Sequence, residues 1–497
     1  MKAAGLVAII LPLVISLSGC LSLVPMAHNQ PAVSPPASCA QPPAGRAGPI
    51  DKAQEALTLE QCIETARANN PSLAAGIWDV QTTLAQWNIA AAEKLPNVRG
   101  TASYNSYLQN QRLIPVRKNN DPGMFSTSLF AGDIILRMPL FTGGRITNEI
   151  NAAVLLSQAA EHRLARTWEE LVFNVSSTFY TILGQRPLIE SLQFSTKVLN
   201  KQRQRVLDMM RVGKAAKVDV LRTEVRLSDL DQRLVREQTV SEIQRRVLGT
   251  LMGIGDGSRP VTVRGNLSLN RRVPDLHGAI AMAFAERGDY RAARASLDAQ
   301  MARVTAARGA LWPTLSLAGS YGTRVAAGIT DNGAVFINRF IGANPEADNP
   351  NAPPAQKHYN SPGVSRSLPV GNIGVVADYP LFDGGRITAQ IREQEARLAA
   401  AQANLRKLEL QIRLDVETAL LNVTSSRQRV QSTQKAIEQS KESFRIESEK
   451  YDLGKGSITD VLDAQAAMLD AQTNYYRALA EYNIALAQLG LATGEKR

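Results

Sequence analysis

The side chains of this chain that can do covalent or metal chemistry are few, and their spacing argues against an active centre. His28, His162, His277 and His358 share no ligand-like interval, and Cys20, Cys39 and Cys62 form no redox pair. Lys455-Gly456-Ser457 has the ending of a phosphate loop, but the upstream glycine spacing is wrong and no strand precedes it. No nucleophile motif occurs. The sequence therefore reads as a protein without catalysis, cofactor or bound metal.

One cysteine is set apart by its neighbours. Residues 1–19 carry one cation at Lys2, an apolar run from Ala3 to Leu17, and the ending Leu17-Ser18-Gly19-Cys20. This is a secretory signal, too short for a spanning helix. The ending resembles the bacterial lipobox, which implies acylation of Cys20 as the first mature residue. By the same resemblance, Leu21 in place of Asp points to the outer membrane. The Pro-, Ala- and Ser-rich stretch that follows makes residues 20–56 a lipidated, extended tether. Cys39 and Cys62 either pair or remain free thiols; two cysteines do not make a framework.

The elements that follow are written twice. Pro96 and Tyr104 recur as Pro313 and Tyr321, 217 residues later. Pro139-Leu140-Phe141-Thr142-Gly143-Gly144-Arg145-Ile146 recurs as Pro380-Leu381-Phe382-Asp383-Gly384-Gly385-Arg386-Ile387, 241 residues later. The second offset holds through Gly213/Gly454, Asp219/Asp460 and Gly253/Gly494. The added length falls between Tyr321 and Pro380, as expected of a surface loop. The sequence divides into a first repeat over 57–253, a linker over 254–273 and a second repeat over 274–494.

Each repeat predicts two strands and a helical hairpin. Val98, Gly100, Ala102 and Tyr104 alternate with Asn97, Arg99, Thr101 and Ser103, and the period of two recurs at 129–141, 313–321 and 372–382. The hairpins cover 146–251 and 387–491. Residues 387–450 contain no Pro or Gly, so Pro187 in the matching stretch marks a kink or interruption and not the end of a helix. Ile391, Leu398, Leu405 and Ile412 stand seven apart, as do Val461, Met468, Tyr475, Tyr482 and Leu489, the period of left-handed supercoiling. Aromatic residues are only 5% of the chain, which suits closely packed long helices. The net charge of +11 comes from Lys and Arg scattered beside Glu and Gln on helices, so it reads as a solvated face and not a nucleic-acid surface.

Four amphipathic strands cannot close a membrane barrel, which needs about eight, and an open sheet edge is not tolerated in lipid. Several copies must therefore share one barrel: two would supply eight strands, three would supply twelve.

At these residues the chain resembles the outer membrane factor (TolC-like) family. The resemblance runs from Leu57 to Gly494, strongest at the two Leu-Phe-x-Gly-Gly-Arg-Ile junctions and at Tyr451-Asp-Leu-Gly-Lys-Gly-Ser-Ile-Thr-Asp460-Val-Leu-Asp463. It implies an α+β, mainly α fold: a homotrimer with a twelve-stranded barrel in the outer membrane lipid, continued by a periplasmic coiled-coil tube. It also implies a passive, gated exit duct of a tripartite efflux pump or type I secretion system. The implied partners are a periplasmic adaptor and an inner membrane transporter of RND, ABC or MFS type.

The family's gate tyrosine falls on Tyr451 and its gate aspartates on Asp460 and Asp463, while its arginine latch falls on Gly456. Asp219 and Arg222 hold the corresponding places in the first repeat, and Arg222 is read as a replacement partner for Asp463. Two carboxylates per chain around a threefold axis would favour cations and divalent ions. The plain alternative for Asp460 is a carboxylate favourable to a helix N-terminus. The turns at Arg211, Gly213, Lys214, Gly454, Lys455 and Gly456 resemble the family's adaptor-docking tips; alternatively, the glycines end helices and the lysines face water. Gly143, Gly144, Gly384 and Gly385 let the chain turn from strand into helix.

A structural or adhesive coiled-coil surface lipoprotein would explain the heptads but not the amphipathic strands. A periplasmic adaptor would carry its hairpin once, inside β-rich domains. The exported substrate is not written in the sequence.

Overall fold

The computed structural model describes residues 56–114, 123–254, 260–269, 274–331 and 364–495. The signal, Cys20, Cys39, most of the tether and the centres of both interstrand loops lie outside the described residues. The fold is α+β and mainly α.

In chain order the elements are α1 (Leu59–Asn69), α2 (Pro71–Ala92), β1 (Asn97–Ile114), β2 (Gly123–Phe141), α3 (Arg145–Arg211) and α4 (Lys217–Leu251). The second repeat follows with α5 (Leu276–Glu286), α6 (Gly288–Gly309), β3 (Thr314–Asp331), β4 (Val364–Asp378), α7 (Arg386–Asp452) and α8 (Ile458–Thr493). The duplication is visible in the lengths: α1 and α5 have 11 residues each, α2 and α6 have 22, and α3 and α7 have 67.

The apolar pattern does not mark α1, α2, α5 and α6. α5 and α6 bury mainly alanines, Ala279, Ala283, Ala292 and Ala299, so no large-residue stripe marks them, whereas α1 buries Cys62 and Ala66 beside Leu59 and Ile63 over only 11 residues and α2 buries Leu73 and Val80 alone. The strands also run further than the alternation predicts, β1 to Ile114 and β3 to Asp331, because ladder pairing extends an apparently polar loop. β4 begins at Val364 and stops at Asp378 instead of 382, just ahead of Pro380. α3 passes through Pro187 without interruption: the neighbouring turns hold the helix where one backbone bond is missing.

The sheet is antiparallel in the order β1-β2-β3-β4, and β1 and β4 are its edges. Ile134, Tyr321 and Val375 lie on its apolar face; Asp133 and Arg324 lie on the other and pair at 2.7 Å. Long helices extend from the sheet, and the heptad residues Ile412, Val461, Met468, Tyr482 and Leu489 are buried between them.

Candidate functional site

The far ends of the two hairpins carry nearly identical turns. α3 closes with Gly213 at φ 74°, whose N–H donates to Met210 O at 3.0 Å while Lys214 N–H donates to Met209 O at 2.8 Å. α7 closes with Gly454 at φ 69°, its N–H donating to Tyr451 O and Lys455 N–H to Lys450 O, both at 2.9 Å. These are Schellman caps, in which a left-handed residue satisfies the last carbonyls. A Cβ at Gly213 or Gly454 would meet nothing, so glycine is needed for the backbone angle and not for space.

The exposed tips hold two apolar residues that the sequence did not single out, Val212 and Leu453, beside Arg211, Lys214 and Lys455. Their signal was their position, one residue before each glycine. Arg211 is held by Asp208 at 3.1 Å. Gly456 sits tightly against Lys450 and Tyr451, where a Cβ would come within 3.1 Å of the Lys450 Cβ.

The return helices begin on their own carboxylates. Asp219 accepts the Ala216 N–H at 3.1 Å and Asp460 accepts the Ser457 N–H at 3.2 Å. The geometry of Asp460 is thus that of a helix-start carboxylate. Tyr451 is buried among Val220, Val461 and Leu462; burial, and next the negative charge of Asp219, push its hydroxyl above the usual tyrosine range.

The expected Arg222–Asp463 pair does not form within the chain. Arg222 donates to Thr459 Oγ1 at 3.0 Å and lies 4.0 Å from Asp219, while Asp463 faces Arg226 at 3.6 Å, one helical turn away. Sequence equivalence cannot supply this pairing, because facing helices meet by side-chain reach and not by repeat number. Further along, Arg233 meets Asp470 at 3.3 Å and Arg477 meets Glu237 at 3.1 Å. These contacts form a ladder between α4 and α8, beginning near the tip turns.

The strand–helix junctions have φ 61° and 81° at Gly143 and Gly144, and 67° and 85° at Gly384 and Gly385, where residues with a Cβ are strained. Gly143 also packs on Gly309 and Trp312, leaving no room for a Cβ. At Gly384 the same space is open within one chain.

Among the described residues no group of His, Cys, Asp and Glu is arranged to hold a metal ion, and no helix is long and apolar enough to cross a membrane. Cys62 is fully buried beside Phe179 and Met252 as a free thiol.

The profile of a family described as outer membrane efflux protein matches residues 62–253 and 279–495. Similar proteins include the pyoverdine export outer membrane protein OpmQ of Pseudomonas putida, 25% identical over 92% of this chain and 91% of the relative. Outer membrane protein OprJ of Pseudomonas aeruginosa is 24% identical over 82% and 78%. Among solved structures, the outer-membrane channel OprN superposes with a TM-score of 0.71 at 20% identity, over 88% of this chain and 90% of that one. The Campylobacter jejuni CmeC outer membrane channel gives 0.71 at 17% identity, over 88% and 85%.

Proposed function

The chain belongs to the outer membrane efflux protein family, and on that premise we propose that it forms, with two further copies, the gated exit duct of a tripartite efflux pump. The observation that carries this reading is the four-stranded sheet with an apolar face and two unpaired edges. Such a sheet is stable in lipid only if its edges are joined, and three copies, the number the family resemblance implies, give a closed barrel of twelve strands.

The helices support the same closure. Leu410, Leu414 and Leu421 stand exposed on α7 at one side of the protomer, and Val225, Ile243 and Val247 stand exposed on α4 at the other. Joining these edges between copies buries both stripes and continues the barrel as a helical tube.

The duct does no chemistry of its own. Asp463, at the mouth of the tube, contributes to an acidic ring that attracts cations. The Arg–carboxylate ladder between α4 and α8 holds the opening narrow, and loosening it widens the passage. Val212 and Leu453, flanked by cations and exposed at the tips, offer the surface for a periplasmic adaptor driven by an inner membrane transporter. Acylation at Cys20 adds a lipid anchor that assists sorting and assembly, since a closed barrel already holds the protein in the membrane.

The test is conductance of the purified protein in a planar bilayer, with subunits counted after cross-linking. A trimer with small, cation-selective conductance supports the reading. A monomer or dimer without conductance refutes it. A companion measurement uses Cys20→Ser: fewer assembled channels, each conducting normally, is the expected result.

A further inference from the structure

The two repeats share a backbone plan, so the places where their charges differ are not dictated by the fold. Asn97 pairs with Arg137 at the base of the first strand hairpin, and the equivalent pair in the second, by the offsets of 217 and 241 residues, is Thr314 with Asp378. Glu93, which follows α2, likewise corresponds to Ala310, which follows α6. The same ladder and the same helix end form in both repeats, although Arg137 has given way to a residue of opposite charge and Glu93 to a methyl group. Neither charge is therefore needed for folding.

Glu93 and Arg137 line one cavity. It has a volume of about 570 Å³ and lies where the end of α2 meets the bases of β1, β2 and β3 and the start of α3; Ile89, Leu95, Arg145 and Ser316 also line it. Small-molecule sites occupy roughly 300–1,000 Å³. Arg137 and Ser316 share the strand parity of Asp133 and Arg324, so the niche opens on the polar face of the sheet. Arg99, two residues along β1 from Asn97, stands on that face as well and adds positive potential at the Arg137 end.

The two charges do not satisfy each other. Among the described residues neither Glu93 nor Arg137 has an ion-pair partner, whereas Arg145 beside them is held by Glu149 at 3.1 Å. Ile89 and Leu95 add apolar surface that is 66% and 55% exposed. A cation, an anion and an apolar wall thus surround one space, with the charges too far apart to pair.

We propose that this niche binds a small zwitterion with an apolar body, its acid group on Arg137, its amine on Glu93 and its apolar part against Ile89 and Leu95. A guanidinium takes a carboxylate through two parallel N–H donors, and a carboxylate accepts from an ammonium; such charge-assisted bonds are roughly twice as strong as neutral ones. The proposal rests on the duct reading for the route by which the ligand arrives, since the polar face of the sheet then lines the passage. Binding itself requires only the residues of one chain.

The test is saturation-transfer NMR of the full-length protein in lipid nanodiscs with tryptophan, indole-3-propionate, tryptamine and indole, probes that share a ring and differ in charge. Empty nanodiscs supply the background. Tryptophan should bind at least fivefold more tightly than indole. Arg137→Gln should weaken tryptophan and indole-3-propionate at least fivefold and leave tryptamine no weaker; Glu93→Gln should weaken tryptophan and tryptamine and leave indole-3-propionate no weaker. Tryptophan binding no better than indole in the unaltered protein, or losses that do not follow the charge of the probe, overturn the site. Charge-selective losses in a protein that does not conduct in the bilayer uphold the site and overturn the duct. A conducting trimer without those losses upholds the duct and overturns the site.

Discussion

Arg287 does in the second repeat what Asn70 does in the first. Asn70 Nδ2 donates to Leu251 O at 2.8 Å and Arg287 Nη1 donates to Ala492 O at 3.4 Å, in each case tying the break between two short helices to the end of the return helix. The equivalence is positional, yet the second repeat has replaced an amide with a cation. Arg287 is 3% exposed in its side chain and is held by Asp289 at 2.7 Å and Asp415 at 3.1 Å.

Arg287→Ala should destabilise the helical region strongly. It takes the cation from two carboxylates, a loss at the lower end of the roughly 3–5 kcal/mol seen for breaking buried pairs, because Asp289 keeps the Tyr290 N–H and Asp415 keeps Gln411 and some solvent. Thermal unfolding followed by circular dichroism checks it. Asn70→Ala, losing a cap and one hydrogen bond, should cost about 1–2 kcal/mol.

Glu169 predicts a pH dependence at the same junction. Burial raises its pKa despite Arg166 and the Gly288 N–H, which it accepts at 3.3 Å. The folded state therefore binds this proton more tightly than the unfolded chain does. Its contribution is fully present below the ordinary carboxylate range and is lost as pH rises through the raised value. Glu169→Gln should remove that component of the melting temperature's fall with rising pH; an unchanged pH profile would count against it.

The α4–α8 ladder predicts graded opening. Each exposed pair contributes only about 0–1 kcal/mol, so Arg226→Ala alone should change single-channel conductance little. Arg226→Ala with Arg233→Ala should raise it severalfold, and the exchange Arg226→Asp with Asp463→Arg should return it toward the original value. Equal conductance in all variants would remove the ladder from the gate.

Asp460 and Asp463 should separate by role. Asp460→Ala removes the carboxylate at the helix start and should cost about 0.3–1 kcal/mol with modest change in ion selectivity. Asp463→Asn should lower cation selectivity and weaken block by divalent cations while leaving stability nearly unchanged. Reversal potentials in salt gradients distinguish them.

Cys62 should resist alkylation in the folded protein. Burial pushes its thiol up to about 12, so thiolate and access are both lacking at neutral pH. Mass spectrometry after maleimide treatment should find Cys62 unmodified until denaturant is added.

How much of this was legible in sequence follows from the range of each interaction. Period two marked the apolar sheet face and period seven the long hairpins, because a strand or helix that buries one face must repeat at its own pitch. The capping glycines were legible for a similar local reason: the helix ends there require positive φ, which only glycine adopts cheaply. Ala279 and Ala283 gave no such signal, since small residues packed among several helices leave no strong stripe, and α5 was missed with them; α1 has a stripe at Leu59, Cys62, Ile63 and Ala66, but only two turns of it.

The sequence by itself determined the duplication, the order of the strands and the long hairpins, and the glycine-bearing turns, all set by local periodicity and backbone conformation. Only the tertiary structure decided that Asp463 faces Arg226 and not Arg222, that Arg287 is a buried hub, and that Val212 and Leu453 are left bare at the tips. Those depend on which helices lie side by side and on how they are staggered, quantities fixed by packing between segments hundreds of residues apart.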